Sequence, residues 1–326
     1  MKIPQLLKTT DIIGVCAPSD SLSRMSSTNL RLGQHNLKTL GFNVVFSKHC
    51  FDRNPTIEDR VSDLMGLFCD SNVGLVMAGI GGFNSNELLN LLDYHTIETM
   101  NKPFIGFSDT TALCFAISKM TGIMTFCGPS FAVFCQKNLP DYTQQYFLKA
   151  LCSNVHYVIE SSAHYAVDCW YENNTGTRKW ITNTGIHHIY NKDFSGIVWG
   201  GNMQTILALA GTPYFPNLSD AILVLEETSN KSIPEIRRGF FQLLQMGILQ
   251  NIQALMLGRF YNYENQHAVI NVIDDLFRNV IKDFNKPVLC GLDFGHTDPM
   301  FTLPNGARIT YCNNTLYIDK CFEATL

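Results

Sequence analysis

Four short stretches of this sequence combine reactive residue types with the tight turns that expose them. In Gly106-Phe107-Ser108-Asp109-Thr110, a serine follows an apolar run and precedes a helical one. A serine on a tight strand-to-helix turn has its hydroxyl lifted above the sheet edge, and the next amide points into the same space beside the positive end of the helix. That geometry suits a nucleophile with an oxyanion donor next to it. The pattern departs from Gly-x-Ser-x-Gly in that Thr110 stands where the last glycine would be. Capping of the helix by Ser108 or Asp109 is the ordinary alternative. A second stretch, Ile80-Gly81-Gly82-Phe83-Asn84-Ser85-Asn86, places adjacent glycines after an apolar run. Their amides can bind an oxyanion or a phosphate, although the spacing of a phosphate loop is absent. The alternative is a plain turn with Asn84 capping the next helix.

The third stretch is Leu225-Glu226-Glu227, two acids closing an apolar strand. Successive strand side chains face opposite ways, so one acid can orient a histidine while the other faces solvent. The fourth is Gly291-Leu292-Asp293-Phe294-Gly295-His296-Thr297-Asp298-Pro299, a histidine in a glycine-bounded loop. Each stretch has a bland reading, as a strand-end charge or a solvated loop histidine. Together they supply nucleophile, oxyanion donors, acid and base in the chain order Ser, Glu, His. His187-His188 competes as a metal site, but no third ligand is suggested nearby.

The elements that position these residues follow from the periodicity. Strands are expected at 11–16, 43–46, 74–77 and 104–107, alternating with helices to about Leu40, over 56–70, over 86–92 and over 110–120. Such alternation with short connections predicts a mainly parallel sheet covered on both faces, with its chemistry at the carboxyl ends of the strands. From about 155 to 197 polar and aromatic residues mix without a helical period. Beyond it lie a helix after Gly200-Gly201-Asn202, a strand at 222–225, a helix over 233–249, and strands at 253–257 and 287–290 separated by a helix over 267–284. The expected organisation is an α/β domain over 1–150, a linker and substrate loop over 151–180, and a domain over 181–326 that carries the acid and the histidine.

The chain has 326 residues, 46% hydrophobic and 16% charged, which argues against long disorder and suits two domains. A net charge of -4, from 24 Lys+Arg against 28 Asp+Glu, excludes a broad basic footprint for nucleic acid. No apolar stretch approaches the roughly 18 residues that cross a bilayer, and the start lacks a signal-peptide core, so a cytoplasmic location is expected. The 11 cysteines are spread irregularly without Cys-x-x-Cys, which reads as small buried thiols rather than disulfides or zinc ligands.

The five motifs Gly79-Ile80-Gly81-Gly82-Phe83-Asn84-Ser85-Asn86, Ile105-Gly106-Phe107-Ser108-Asp109-Thr110-Thr111-Ala112-Leu113, Trp199-Gly200-Gly201-Asn202, Leu225-Glu226-Glu227 and Phe294-Gly295-His296 occur in this order. Through them the chain resembles the L,D-carboxypeptidase family of serine peptidases, and within it the microcin C self-immunity (MccF-like) group. The resemblance implies a nucleophile at Ser108, a general base at His296 and an orienting acid at Glu226. It also implies an oxyanion hole of the backbone amides of Gly82 and Asp109, a parallel α/β domain followed by a second domain with a strand-rich core, a homodimer, and no metal or cofactor. Gly81, Asn84, Asn202 and a middle-loop aromatic, Trp170 or Trp180, are expected substrate contacts. Where many muropeptide-cleaving members carry Arg-Gly-Gly-Tyr-Gly, this chain has Ile80-Gly81-Gly82-Phe83-Asn84, which fits the microcin group better.

The expected activity is hydrolysis of an amide bond in a microcin C-type peptidyl- or aminoacyl-nucleotide. Release of terminal D-Ala from muropeptide tetrapeptides is the alternative. Both substrates are anionic, and Arg178 is a candidate cationic contact. Two further readings stay open: a small-molecule binding protein in which Ser108 only donates a hydrogen bond, and an enzyme whose nucleophile is Cys127.

Overall fold

The computed structural model describes residues 1–168, 177–228, 231–260, 266–281 and 283–320. Its first apolar runs form β1 (Ile12–Cys16), β2 (Asn43–Phe46), β3 (Val73–Ala78), β4 (Phe104–Gly106) and β5 (Thr125–Cys127). These pair in parallel in the order β5-β4-β3-β1-β2. The rest of the chain adds β6 (Tyr157–Ile159), β7 (His164–Tyr165), β8 (Ile181–Thr182), β9 (His187–Ile189), β10 (Phe194–Asn202), β11 (Ile222–Glu226), β12 (Ala254–Gly258), β13 (Val288–Leu292), β14 (Leu303–Asn305), β15 (Arg308–Cys312) and β16 (Thr315–Asp319). A second sheet runs β6-β16-β15-β10-β11-β12-β13-β9. Its centre, β10 to β13, is parallel and its flanks are antiparallel. β7 and β8 form a separate antiparallel pair, and β14 returns to the first sheet beside β5. The protein is thus a mixed α/β fold with a parallel sheet and a larger, strand-rich one.

The central strands of the second sheet are buried along their whole length, as expected where helices cover both faces of a parallel sheet. Helix starts carry the expected caps. Thr56 and Asp59 form a capping box for the helix Ile57–Cys69, and Ser232 and Glu235 form one for Ile233–Gln245, with Pro234 in its first turn. The helix Thr111–Thr121 is apolar almost all round, because both sheets use it. Leu113 and Phe115 on it are fully buried, which contributes about 1.5–3 kcal/mol each. Phe115 meets Trp199 of β10 at a ring separation of 5.2 Å. Gly201 approaches the start of the same helix so closely that an added Cβ would lie 2.3 Å from Thr111 Cγ2. The two sheets are therefore joined at the helix that begins at the Ser108 turn.

Several elements differ from the expectation. The helix expected over 233–249 ends at Gln245 and restarts at Ile248, because Gly247 takes a left-handed φ of 74°. The stretch over 86–92 winds as a tighter 3-10 helix, Ser85–Leu91. The last helix expected before β13 changes pitch, from α over Gln266–Asp275 to a wider turn over Leu276–Val280. The hairpin β15–β16 lies outside the expected elements, although the sequence carries its signal. Asn313 and Asn314 turn at positive φ between two runs of alternating burial.

Candidate active site

The carboxyl ends of both parallel sheets converge on one cleft. β4 ends at Gly106, and two residues later Ser108 sits at φ 60° in a short 3-10 turn, Ser108–Thr110, that leads into the helix Thr111–Thr121. A left-handed φ on a serine is strained, and such strain collects at functional turns. Neither Ser108 nor Asp109 caps the helix. The Asp109 carboxylate points instead to the neighbouring loops, where its Oδ2 accepts from the Ser19 hydroxyl (2.6 Å) and from the Ser85 amide (2.8 Å). The Ser85 hydroxyl donates to the Asp109 carbonyl at 2.8 Å. These bonds fasten the Gly81-Gly82 loop to the serine turn. Gly81 packs so closely there that an added Cβ would stand 3.1 Å from Ser108 Cβ.

β11 ends at Glu226, and the loop after β13 carries His296. His296 Nε2 lies 3.0 Å from Ser108 Oγ, and its Nδ1 lies 2.5 Å from Glu226 Oε2. A carboxylate only accepts, so Nδ1 carries the proton and Nε2 is left to accept from the serine. Glu226 is buried, and the imidazole is about one-fifth exposed (18%). Burial disfavours the imidazolium, but the charge and hydrogen bond of Glu226, with the charge of Glu227, outweigh it and raise the His296 pKa above its ordinary value. The ring of Phe107 packs on the imidazole at 5.0 Å.

Glu227 corrects the expectation of a solvent-facing second acid: both carboxylates are buried. The strand ends at Glu226, and Asn202, at the end of neighbouring β10, donates its side-chain amide to both acids at 3.1 Å. The amides of Gln204 (3.2 Å) and Thr228 (2.9 Å) complete the shell of Glu227, whose pKa is raised by burial. Asn202 thus spends its amide on the acids.

Asn84 does not cap the next helix; its carbonyl accepts from Arg60 at 3.2 Å. Arg178 is drawn inward to Asp168 (2.7 Å) and Asp298 (2.9 Å) rather than offered to a ligand. Trp180 is partly exposed, with the Arg178 guanidinium over its ring at 5.5 Å, and Trp170 lies outside the described residues. His188 meets the Tyr311 hydroxyl, and among the described residues no group of three or more His, Cys, Asp or Glu is arranged to hold a metal ion. Cys127 is buried in β5, and burial pushes its thiol well above the ordinary value, so it lacks the thiolate a nucleophile needs. Among the described residues no helix is long and apolar enough to cross a membrane.

Two cavities flank Ser108. One, of about 300 Å³, is lined by Gly81, Gly82, Ser108, Gly295, His296 and Thr297 among others. The other, of about 390 Å³, is lined by Gly82, Phe83, Ser108, Asp109, Asn202 and Lys231 among others. Ser108 therefore borders two compartments, one lined also by His296 and the other by Asp109. Such an arrangement can activate an oxygen nucleophile and divide a bound molecule at the point of attack.

Gly295 lets the loop pass Glu226. Its φ is 104°, and an added Cβ would lie 2.7 Å from both Glu226 Cβ and Oε2. Gly295→Ala is expected to destabilise the fold by about 2–4 kcal/mol, from the backbone strain and the overpacking together. Denaturant unfolding checks this; a loss below about 0.5 kcal/mol would contradict the packing described.

Both halves of the chain match family models. The LD-carboxypeptidase N-terminal domain matches residues 13–128, and the LD-carboxypeptidase C-terminal domain matches residues 195–311. A solved MccF-like protein from Bacillus anthracis str. Ames is 35% identical with a TM-score of 0.93, covering 98% of this chain and all of that one (100%). The Escherichia coli microcin C7 self-immunity protein MccF is 29% identical over 98% of this chain and 96% of its own. A structure of MccF in complex with glutamyl sulfamoyl guanosine superposes with a TM-score of 0.88 at 28% identity, covering 98% of this chain and 99% of that one. The murein tetrapeptide carboxypeptidase of Pseudomonas aeruginosa is 23% identical over 80% of each chain.

Proposed function

We propose that this chain, which belongs to the LD-carboxypeptidase family and is a serine-type peptidase, hydrolyses an amide bond in a peptidyl- or aminoacyl-nucleotide of the microcin C type. The observation that carries the reading is the continuous relay from Ser108 Oγ through His296 to Glu226, at 3.0 and 2.5 Å. In it, Ser108 Oγ attacks the scissile carbonyl while His296 Nε2 takes the hydroxyl proton. Glu226 holds the imidazole in the accepting tautomer and offsets the imidazolium charge. The tetrahedral oxyanion is met by the amides of Gly82 and Asp109, whose residues border the same cavity. As the C–N bond breaks, His296 returns the proton to the departing nitrogen. Water, deprotonated by the same imidazole, then releases the acyl group from Ser108.

The two cavities give this reading a direction. A proton passes from His296 to the leaving nitrogen, so the leaving group belongs in the cavity that His296 lines. The acyl portion then occupies the cavity of Gly82, Asp109 and Lys231. Lys231, which borders this cavity and also pairs with Glu235 at 4.0 Å, is the cationic side chain on the acyl side, whereas the guanidinium of Arg178 is turned to Asp168 and Asp298. A homodimer belongs to the same reading and rests on the family resemblance alone.

The substrate class is supported by the sulfamoyl nucleotide bound in MccF and by Ile80-Gly81-Gly82-Phe83-Asn84 at the glycine pair. The second reading, removal of D-Ala from a muropeptide tetrapeptide, is favoured by the similarity to the Pseudomonas enzyme. Glutamyl sulfamoyl adenosine and a muropeptide tetrapeptide are to be compared with the purified chain. The expected result is a kcat/KM at least about a hundredfold higher for the nucleotide analogue. The reverse preference would establish the second reading, and cleavage of neither would sink both. With the better substrate, kcat/KM is expected to fall on the acid side through a pKa above the ordinary 6.5 of imidazole, because Glu226 favours the protonated ring that cannot accept from Ser108. An acid limb at or below 6.5 would count against His296 as the base.

A further inference from the structure

The loop between β13 and β14 carries His296, and each of its flanks is tied to a buried arginine. Asp293 precedes His296 by three residues. Its carboxylate accepts from Arg259 Nη1, from the Ser162 hydroxyl (2.7 Å) and from the Ser162 amide (2.7 Å). Arg259 follows directly on β12, and its guanidinium lies over the ring of Tyr165 at 4.4 Å. Asp298 follows His296 by two residues. Its Oδ2 accepts from Arg178 Nη1 at 2.9 Å. The same guanidinium donates to Asp168 Oδ2 (2.7 Å) and to Gln136 Oε1 (3.0 Å). The side chains of both arginines and both loop aspartates are at most 9% exposed. The backbone repeats the attachment: the Ala166 amide donates to the Asp298 carbonyl at 2.7 Å, and the Asp298 amide donates to the Ala166 carbonyl at 3.1 Å.

Buried ion pairs are weak stabilisers, because desolvation of both charges offsets most of their attraction; two apolar residues of similar volume often serve stability as well. What such pairs add is a fixed direction and distance between segments. Here two of them bracket the one loop whose histidine must reach a serine on one sheet and a glutamate on the other.

We propose that Arg178 and Arg259 are positioning residues that act through Asp298 and Asp293 to hold the His296 loop in register with both Ser108 and Glu226. The inference rests on the relay proposed above. The charged groups facing the imidazole are Glu226 and Glu227 from the end of β11, with Asp20, Asp168 and Asp298 bordering its cavity. Loss of either arginine contact frees the loop, lengthens the bond from His296 Nδ1 to Glu226 and lowers the pKa that this bond sustains.

The test uses the full-length protein with labelled histidine, with His296→Gln to assign the resonances. The Nδ1 proton shared with Glu226 at 2.5 Å gives a strongly deshielded signal. Arg178→Met and Asp298→Asn, which break one pair from opposite ends, are both expected to lose that signal and to lower the His296 titration. Both should also slow phosphonylation of Ser108 by a fluorophosphonate by about a hundredfold. The double variant should lose little more than the single ones, because all three remove the same contact. Arg259→Met and Asp293→Asn should repeat the pattern. Should Arg178→Met not fold, Arg178→Lys keeps the charge without the span of the fork and is expected to show the same losses in milder form.

Variants that melt earlier but keep the deshielded signal and the titration would overturn the inference and leave a purely structural role. Titrations that move in opposite directions, with the signal intact, would also overturn it, because charge alone would then explain them. None of these readouts needs a substrate. Failure of the wild type to hydrolyse any candidate would count against the proposed function and not against the positioning.

Discussion

Ser108→Ala is expected to lower kcat by on the order of 10⁵–10⁶-fold while leaving the dissociation constant of glutamyl sulfamoyl adenosine within a few-fold of the wild type. The size follows from the way the relay operates. The relay acts on the Ser108 hydroxyl, so the partnership of the imidazole with Glu226 loses its purpose when Oγ is removed. The residual rate comes from the oxyanion donors and from substrate binding alone. Binding survives because the two cavities are lined mostly by groups other than the Ser108 hydroxyl. Stopped-flow or endpoint assays beside calorimetric titration measure both quantities. The same experiment separates an enzyme from a binding protein, which would keep its affinity and have no turnover to lose. A variant that keeps more than about a tenth of the rate would return attention to another nucleophile, although Cys127 is poorly placed, being buried and protonated.

Glu226→Gln is expected to cost about ten-thousand-fold in kcat, because it presents the wrong group to the histidine. Asn202 donates its amide to Glu226 Oε1 at 3.1 Å, so the new side chain turns its carbonyl to Asn202 and its NH₂ to His296 Nδ1. The imidazole then carries its proton on Nε2 and no longer accepts from Ser108. Glu227 is not free to substitute, since its carboxylate is held by Asn202, Gln204 and Thr228. The sign of the pH effect is fixed as well. Burial lowers the His296 pKa, and the charge and hydrogen bond of Glu226, with the charge of Glu227, together raise it by more. Removing the Glu226 contributions lets burial weigh more, and the acid limb of the residual activity moves to lower pH. An unfolding curve close to wild type, together with this shift, marks the effect as one of proton handling. A loss of less than about tenfold would mean that the acid does not orient the base.

Much of this site is legible before any coordinates, because its chemistry sits at strand ends and strand ends announce themselves. The run Phe104-Ile105-Gly106 and the apolar helix after Thr110 frame Ser108 as a turn residue, with capping of the helix as the alternative. Glu226 and His296 are likewise flanked by buried strands with clear ends. What the pattern conceals is the company those residues keep. Alternation along β11 assigns Glu226 and Glu227 to opposite faces, yet Asn202 reaches across from the neighbouring strand and collects both. The partner of Arg178 at Asp298 is 120 residues away, and that of Arg259 at Asp293 is 34 away, just past the neighbouring strand. An arginine read alone looks like a ligand contact, because nothing local reveals that buried carboxylates await it. The return of β14 to the first sheet is hidden for the same reason, since a three-residue strand has no period to read.

In the proposed mechanism Ser108 Oγ is the atom that becomes acylated. Incubation with a fluorophosphonate, followed by intact-mass measurement and peptide mapping, tests it without knowledge of the natural substrate. One adduct is expected, on the peptide that contains Ser108, absent in Ser108→Ala and formed far more slowly in Glu226→Gln. An enzyme that hydrolyses its substrate while Ser108 stays unmodified, or that is labelled and inactivated at another residue, would contradict it.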